Sequence, residues 1–138
     1  MAALPALDDI FEEYEMLDGE DRYRLLIELG RKLEPMPDAL KTEATKVRGC
    51  AASVWVYPSR GADGRLHFMA DSNAAITKGI VALVLATVQD QPAQAVAETD
   101  IAAALAPFDL SRQLSANRTQ GIPSMIALVR ETAQRLAA

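Results

Sequence analysis

Cys50 is the only cysteine in the chain, and its neighbours suit a reactive thiol. It follows Lys46, Arg48 and Gly49, and the small residue Ala51 comes directly after it. A thiol reacts as its thiolate, which nearby positive charge stabilises, so we expect Lys46 and Arg48 to lower the pKa of Cys50. Gly49 permits a left-handed turn that would present the side chain at the tip of a loop. These features predict a nucleophile that attacks sulfur, as in thiol–disulfide exchange.

The same residues also fit a cysteine without chemistry. Free cysteines are among the most often buried residue types and usually behave as small apolar side chains. A cysteine hydrolase needs a base beside the thiol, but His67, the only histidine, falls in a predicted strand and reads as an ordinary strand residue. We predict that Asp71 caps a helix, that Trp55 packs in the core and that Arg118 is solvated or caps a helix. The local residues therefore leave a reactive and an inert Cys50 both open.

Composition and charge limit the classes of function. The chain has 138 residues, half of them hydrophobic, which fits a single folded domain over residues 1–138. Its net charge is −5, and the first 40 residues carry eleven acidic and four basic side chains, which indicates a solvated acidic face or a docking surface. An acidic chain is a poor candidate for binding nucleic acid. One cysteine excludes an internal disulfide and a metal site of several cysteines.

The chain shows no pattern of a membrane or secreted protein. Its most apolar stretch, residues 79–88, is much shorter than the roughly 20 residues that a membrane helix needs. The N-terminus lacks the basic lead and apolar core of a signal peptide. We therefore predict a cytoplasmic protein that binds no membrane.

Apolar residues at helical spacing predict that helices flank the cysteine on both sides. Two helices precede Pro35, and Asp18 is the expected cap of the second. A third helix, apolar nearly all round and therefore buried, runs from a cap at residue 71 or 72 to about residue 89. Two short helices follow between residues 92 and 107, and a last one begins near Pro123, which is tolerated in its first turn.

A small sheet is predicted around Cys50. Residues 53–57 are rich in β-branched and aromatic side chains, and residues 65–70 alternate apolar and polar side chains. The loop of residues 58–64 joins the two as a hairpin, and a short strand near residues 45–47 pairs with them. The fold class is therefore α+β, with a small three-stranded antiparallel sheet flanked by several α-helices.

Four short blocks follow one another along the chain in a familiar order. They are Asp21-Arg22-Tyr23 with Leu26-Ile27-Glu28-Leu29-Gly30, Val47-Arg48-Gly49-Cys50 with Val54-Trp55, Ala70-Asp71-Ser72 with Ala75-Ile76, Lys78 and Gly79, and Leu114-Ser115 with Arg118, Gln120-Gly121 and Met125-Ile126. In content and spacing these blocks resemble the SufE family of sulfur-acceptor proteins, of which CsdE is a close relative.

The resemblance implies a SufE/IscU-like fold and a role for Cys50. In that family the matching cysteine lies at a loop tip and accepts sulfane sulfur as a persulfide from a pyridoxal-phosphate-dependent cysteine desulfurase of the SufS or CsdA kind. The acceptor enhances the turnover of the desulfurase and passes sulfur to an iron–sulfur scaffold of the SufBCD kind. The resemblance implies no cofactor and no metal bound by the chain itself.

The chain also departs from the family pattern. Ala52 and Ser53 stand where serine and glutamine are common, and Asn73 stands where aspartate is frequent. These differences concern contacts around the loop and the choice of desulfurase. Two other classes remain as alternatives: a single-cysteine peroxidase or thiol reductase, and a non-catalytic module that regulates a desulfurase or another partner through its acidic helices.

Overall fold

The computed structural model describes residues 4–137 and confirms an α+β fold with a three-stranded antiparallel sheet. Short 3-10 helices occupy Asp38–Leu40 and Ala106–Phe108. The strands are β1 (Val54–Arg60), β2 (Arg65–Ser72) and β3 (Gln91–Pro92), and the α-helices are α1 (Leu7–Met16), α2 (Gly19–Arg31), α3 (Ala75–Ala86), α4 (Ala93–Glu98), α5 (Ile101–Leu105), α6 (Leu110–Gln113), α7 (Ala116–Thr119) and α8 (Ile122–Ala137).

The hairpin of β1 and β2 is longer than its sequence pattern predicts. Val54 pairs with Ser72, and the pairing continues to Arg60 and Leu66, so Pro58 lies in the strand and not in the loop. The Val56 N–H donates across the outer edge of β1 to the segment of residues 45–47. The nitrogen of Pro58, two residues later, lies on the same edge but beyond the end of that segment. Because this edge is open at Pro58, the missing N–H costs no hydrogen bond of the sheet.

The third strand is not where the sequence places it. The segment of residues 45–47 makes only an isolated bridge, between Lys46 and Trp55, with two flanking backbone hydrogen bonds to β1. The strand that completes the sheet is instead β3, which pairs with Arg65 and Leu66 at the other edge of β2. Farther along β2, the Gln89 side chain continues this edge, because its amide both accepts from the Phe68 N–H and donates to the Phe68 carbonyl.

Helix α3 is the centre of the core, as its apolar sequence predicts. Every residue from Gly79 to Leu85 is buried. The helix begins at Ala75, later than expected, and Asp71 does not cap it because Asp71 still belongs to β2 and pairs with Trp55. The Ser72 hydroxyl accepts a hydrogen bond from the Ala74 N–H just before the helix begins.

Helices α2 and α3 touch backbone to backbone. A Cβ atom at Gly79 would lie 2.1 Å from the Leu26 carbonyl oxygen, and one at Gly30 would lie 2.8 Å from the Gly79 nitrogen. Glycine at both positions therefore sets how closely the two helices approach.

Helix α1 packs against the 3-10 helix Ala106–Phe108 through an aromatic cluster. The Tyr14 hydroxyl donates to the Phe108 carbonyl oxygen at 2.8 Å, and the two rings lie 5.0 Å apart between centroids. Phe11 packs edge-on against the same Phe108 ring.

Asp18 stands before α2 as expected, but its side chain makes no capping hydrogen bond, whereas Asp100 caps α5 by accepting from the Ala103 N–H. Within residues 4–137, no helix is both long enough and apolar enough to span a membrane.

Candidate functional site

Cys50 lies in the loop of residues 48–53, between the bridged segment and the start of β1. The loop is closed at its base by a hydrogen bond of 2.7 Å from the Val47 N–H to the Val54 carbonyl. Gly49 has a φ of 85°, which confirms the left-handed turn predicted beside the cysteine. The segment therefore forms a tight loop, and Cys50 comes directly after the left-handed turn.

The thiol is half-buried and packs against the start of α8. It donates a weak hydrogen bond to the Gly121 carbonyl oxygen at a distance of 3.9 Å, and the Cys50 side chain borders the core. Burial raises the pKa of the Cys50 thiol. The expectation that Lys46 and Arg48 lower this pKa is wrong, because both residues are exposed and burial dominates. A raised pKa favours the neutral thiol over the thiolate in this buried position.

The last residue of β2 and the residue after it anchor the far end of the loop. The Ser53 N–H donates to the Asn73 side-chain oxygen at 3.1 Å, and the Ser72 hydroxyl donates to the Ser53 carbonyl at 2.7 Å. The Asn73 N–H also donates to that carbonyl at 3.3 Å. An aspartate at position 73 offers the same acceptor oxygen, so this departure from the SufE pattern preserves the contact.

Asp71 belongs to an ion-pair cluster beside the loop. Its carboxylate lies 2.7 Å from the Lys41 ammonium and 3.2 Å from the Lys78 ammonium, and it accepts from the Ser72 N–H. Partial burial alone would raise the pKa of Asp71, but hydrogen bonds from these three groups lower it overall. Lys41 also lies 5.7 Å from the centre of the Trp55 ring, and Trp55 is only half-buried, not fully in the core as predicted.

Arg118 joins two sequence blocks that lie far apart in the chain. Its guanidinium lies 5.3 Å from the centre of the Tyr23 ring and donates a hydrogen bond to the Tyr23 hydroxyl. Arg118 remains exposed, so the prediction of a solvated residue holds, but it has a defined aromatic partner. Gly121, three residues later, is the residue that contacts the thiol.

His67 lies at the other end of the hairpin from the cysteine. It pairs with Ser59 near the turn, whereas Cys50 precedes Val54 at the opposite end of β1. The His67 ring bonds the carboxylates of Glu34 and Asp90, and no local sequence pattern predicts this cluster because its members come from three separate segments. The site therefore has no histidine base, which a cysteine hydrolase requires.

The two carboxylates around His67 bond opposite ring nitrogens and do not converge on one point. Among the described residues 4–137, no group of three or more His, Cys, Asp or Glu side chains is arranged to hold a metal ion.

Comparison with known proteins places the chain among relatives along almost its whole length. The model of the SufE family, described as an Fe-S metabolism associated domain, matches residues 8–133. An uncharacterized SufE-like protein of Rhizobium etli is 37% identical over 139 residues, which cover 98% of this chain and 94% of the relative. A second such protein, from Rhizobium meliloti, is 36% identical over 135 residues, which cover 95% and 96%.

A solved structure has the same fold. The solution structure of a hypothetical protein from Thermus thermophilus matches with a TM-score of 0.76. The match covers 99% of this chain and 98% of that one, at 18% sequence identity.

Proposed function

This chain belongs to the SufE family, which associates it with iron–sulfur metabolism, and on that premise we propose that it is a sulfur-acceptor protein acting in the cytoplasm. Cys50 accepts sulfane sulfur as a persulfide from a pyridoxal-phosphate-dependent cysteine desulfurase of the SufS or CsdA kind. The acceptor thereby increases the turnover of the desulfurase and passes the sulfur to an iron–sulfur scaffold of the SufBCD kind.

The observation that carries this proposal is the position of the cysteine. The only thiol of the chain lies just past a left-handed turn, in a short loop anchored at both ends. A loop of this kind can present the sulfur to a partner while the helices around it stay packed. Its Sγ bonds a backbone carbonyl, and within residues 4–137 no histidine lies beside it, which suits a thiol whose reaction partner is a persulfide, because a persulfide is already reactive toward a thiolate.

The proposed reaction is an exchange between a thiolate and a persulfide that transfers one sulfur atom. The Cys50 thiol gives its proton to solvent, and the thiolate attacks the outer sulfur of the desulfurase persulfide. A new S–S bond forms on Cys50 while the S–S bond of the desulfurase breaks, and the desulfurase cysteine leaves as its thiolate. Transfer to the scaffold repeats this exchange and returns Cys50 to a thiolate. Because burial raises the pKa of Cys50, we expect docking to expose the thiol before attack.

One observation favours a second candidate, a non-catalytic module that regulates a desulfurase or another partner. The acidic residues of α1 are all exposed, and the large apolar side chain of Met16 at its end is 86% exposed. An acidic helix with an exposed apolar end fits a docking surface that needs no thiol.

Intact-protein mass spectrometry separates the candidates. The protein is mixed with a SufS-like desulfurase and cysteine, with Cys50→Ser as the matched control. We expect wild type alone to gain one sulfur atom that a thiol reductant removes, and alanine production by the desulfurase to rise with wild type only. Activation that survives Cys50→Ser would instead support the regulatory module. Consumption of peroxide or disulfide without a desulfurase would support a thiol reductase or peroxidase.

A further inference from the structure

The backbone conformation of Gly121 does not require a glycine. The described glycines with positive φ are Gly19, Gly49 and Gly64, and Gly121 is not among them. Its backbone conformation is therefore one that alanine also adopts. Gly121 is buried, and its carbonyl accepts the Met125 N–H at 3.0 Å as α8 begins.

What Gly121 supplies is space for the cysteine. A Cβ atom at position 121 would lie 2.3 Å from Cys50 Sγ, 3.1 Å from its Cβ and 3.2 Å from its Cα. The first distance is far below any non-bonded contact, so the Sγ occupies the volume that a side chain at position 121 would fill. One residue before Cys50, a Cβ atom at Gly49 would lie 3.0 Å from the Ser124 hydroxyl oxygen. Two adjacent residues of the loop therefore lie close to the start of α8.

We propose that Gly121 is a positioning residue that keeps the Cys50 thiol in a retracted resting state against α8. The inference rests on the proposed function for its biological meaning, because retraction would shield a persulfide from small reductants until a partner docks. A methyl group at position 121 would displace Sγ from this niche. Since the loop is short and its turn lies at the surface, the displaced thiol would turn toward solvent while the fold remains.

The test measures the thiol directly and needs no desulfurase. Wild type and Gly121→Ala are alkylated with iodoacetamide over a range of pH, and the modified fraction is followed by mass spectrometry. We expect Gly121→Ala to react faster by on the order of tenfold at neutral pH, because the exposed thiolate is the reactive species. We also expect the midpoint of its pH profile to fall toward that of an exposed thiol. Val129→Ala, which removes buried methyl groups about two turns beyond the start of the same helix, should keep the wild-type profile.

A thermodynamic cycle guards against a variant that merely misfolds. The stability cost of Gly121→Ala is measured in the wild type and in a Cys50→Ala background, which lacks the clashing sulfur. A smaller cost without the sulfur supports the proposal. Equal costs in both backgrounds, or wild-type alkylation by a folded Gly121→Ala, would overturn it. Failure of a desulfurase to load Cys50 would refute the proposed function and leave these two measurements interpretable.

Discussion

The side chain of His67 predicts a stability that depends on pH. Its Nδ1 lies 2.7 Å from Asp90 Oδ1, and its Nε2 bonds the Glu34 carboxylate. A neutral imidazole donates from only one nitrogen, so two carboxylate partners favour the doubly protonated cation. Partial burial lowers the pKa of His67, but hydrogen bonds to Glu34 and Asp90, together with their negative charges, outweigh burial and raise it.

The exposure of the three side chains limits the free energy involved. His67 is 36% exposed, Glu34 21% and Asp90 57%, so water screens both pairs. Pairs of this kind contribute about 0.5 kcal/mol each, or about 1 kcal/mol together. The guanidinium of Arg65 donates to the Asp90 backbone oxygen at 2.9 Å. This positive charge near His67 opposes its protonation and so limits the stabilisation further. Because the folded pKa is raised, the stabilisation is fully present below the unfolded pKa of about 6.5 and is lost as pH rises through the folded value.

Urea unfolding of wild type and His67→Gln between about pH 5.5 and pH 9 tests this reasoning. We expect wild type to be more stable by about 1 kcal/mol at the acidic end and the difference to shrink toward zero at the alkaline end. The difference in stability between the two proteins at each pH cancels the pH dependence of the titratable groups that both share. Asp90→Asn is the control: asparagine tolerates the left-handed backbone at φ 58°, so this variant should lose about half of the pH dependence. An equal difference between wild type and His67→Gln at both ends would mean that folding leaves the pKa of His67 unchanged, and a difference that grows toward alkaline pH would mean that folding lowers this pKa; either result would refute the argument.

Substitutions at Tyr14 and at Asn73 test contacts on which the fold and the loop depend. Tyr14→Phe removes the buried hydrogen bond to the Phe108 carbonyl and should lower the free energy of unfolding by about 1–2 kcal/mol, whereas Tyr57→Phe at an exposed position should change it by less than about 0.5 kcal/mol in the same urea titration. Asn73→Asp keeps the acceptor for the Ser53 N–H and should leave the iodoacetamide rate of the cysteine near wild type, whereas Asn73→Ala removes the acceptor and should raise that rate. Equal rates for the two Asn73 variants would show that this contact does not hold the loop.

The parts of the fold that sequence predicts well are those set by local periodicity. The helices at both ends of the chain, the buried α3 and the alternation of Leu66, Phe68 and Ala70 on one face of β2 all follow from spacing alone. The third strand escaped prediction because β3 has two residues, one of them a proline at a sheet edge, which leaves no alternating pattern to detect. The segment before Cys50 reads as a strand, but its pairing ends after one bridge.

The surroundings of the site depend on contacts between distant residues. The cysteine itself stands out in the sequence, but Gly121 lies 71 positions away from it, and Arg118 lies 95 positions away from Tyr23. Asp71 reads as a helix cap from its neighbours, and only the fold brings two lysines to it. The pKa of the thiol followed burial, which no local count of positive charges reveals.

The backbone contact between α2 and α3 has a mechanical consequence for the loop. At Gly30 and Gly79 no side chain separates the two helices, so neither can shift without moving main-chain atoms of the other. The Cys50 loop, in contrast, is attached through a few single hydrogen bonds, at Val54, at Ser53 and from the Cys50 thiol to Gly121. A force on the thiol would therefore strain the loop long before it strained the helix pair. The molecule is stiff at its centre and more weakly held where its sulfur lies, so outward movement of the sulfur would cost the contact of Sγ with Gly121 and leave the helix pair unstrained.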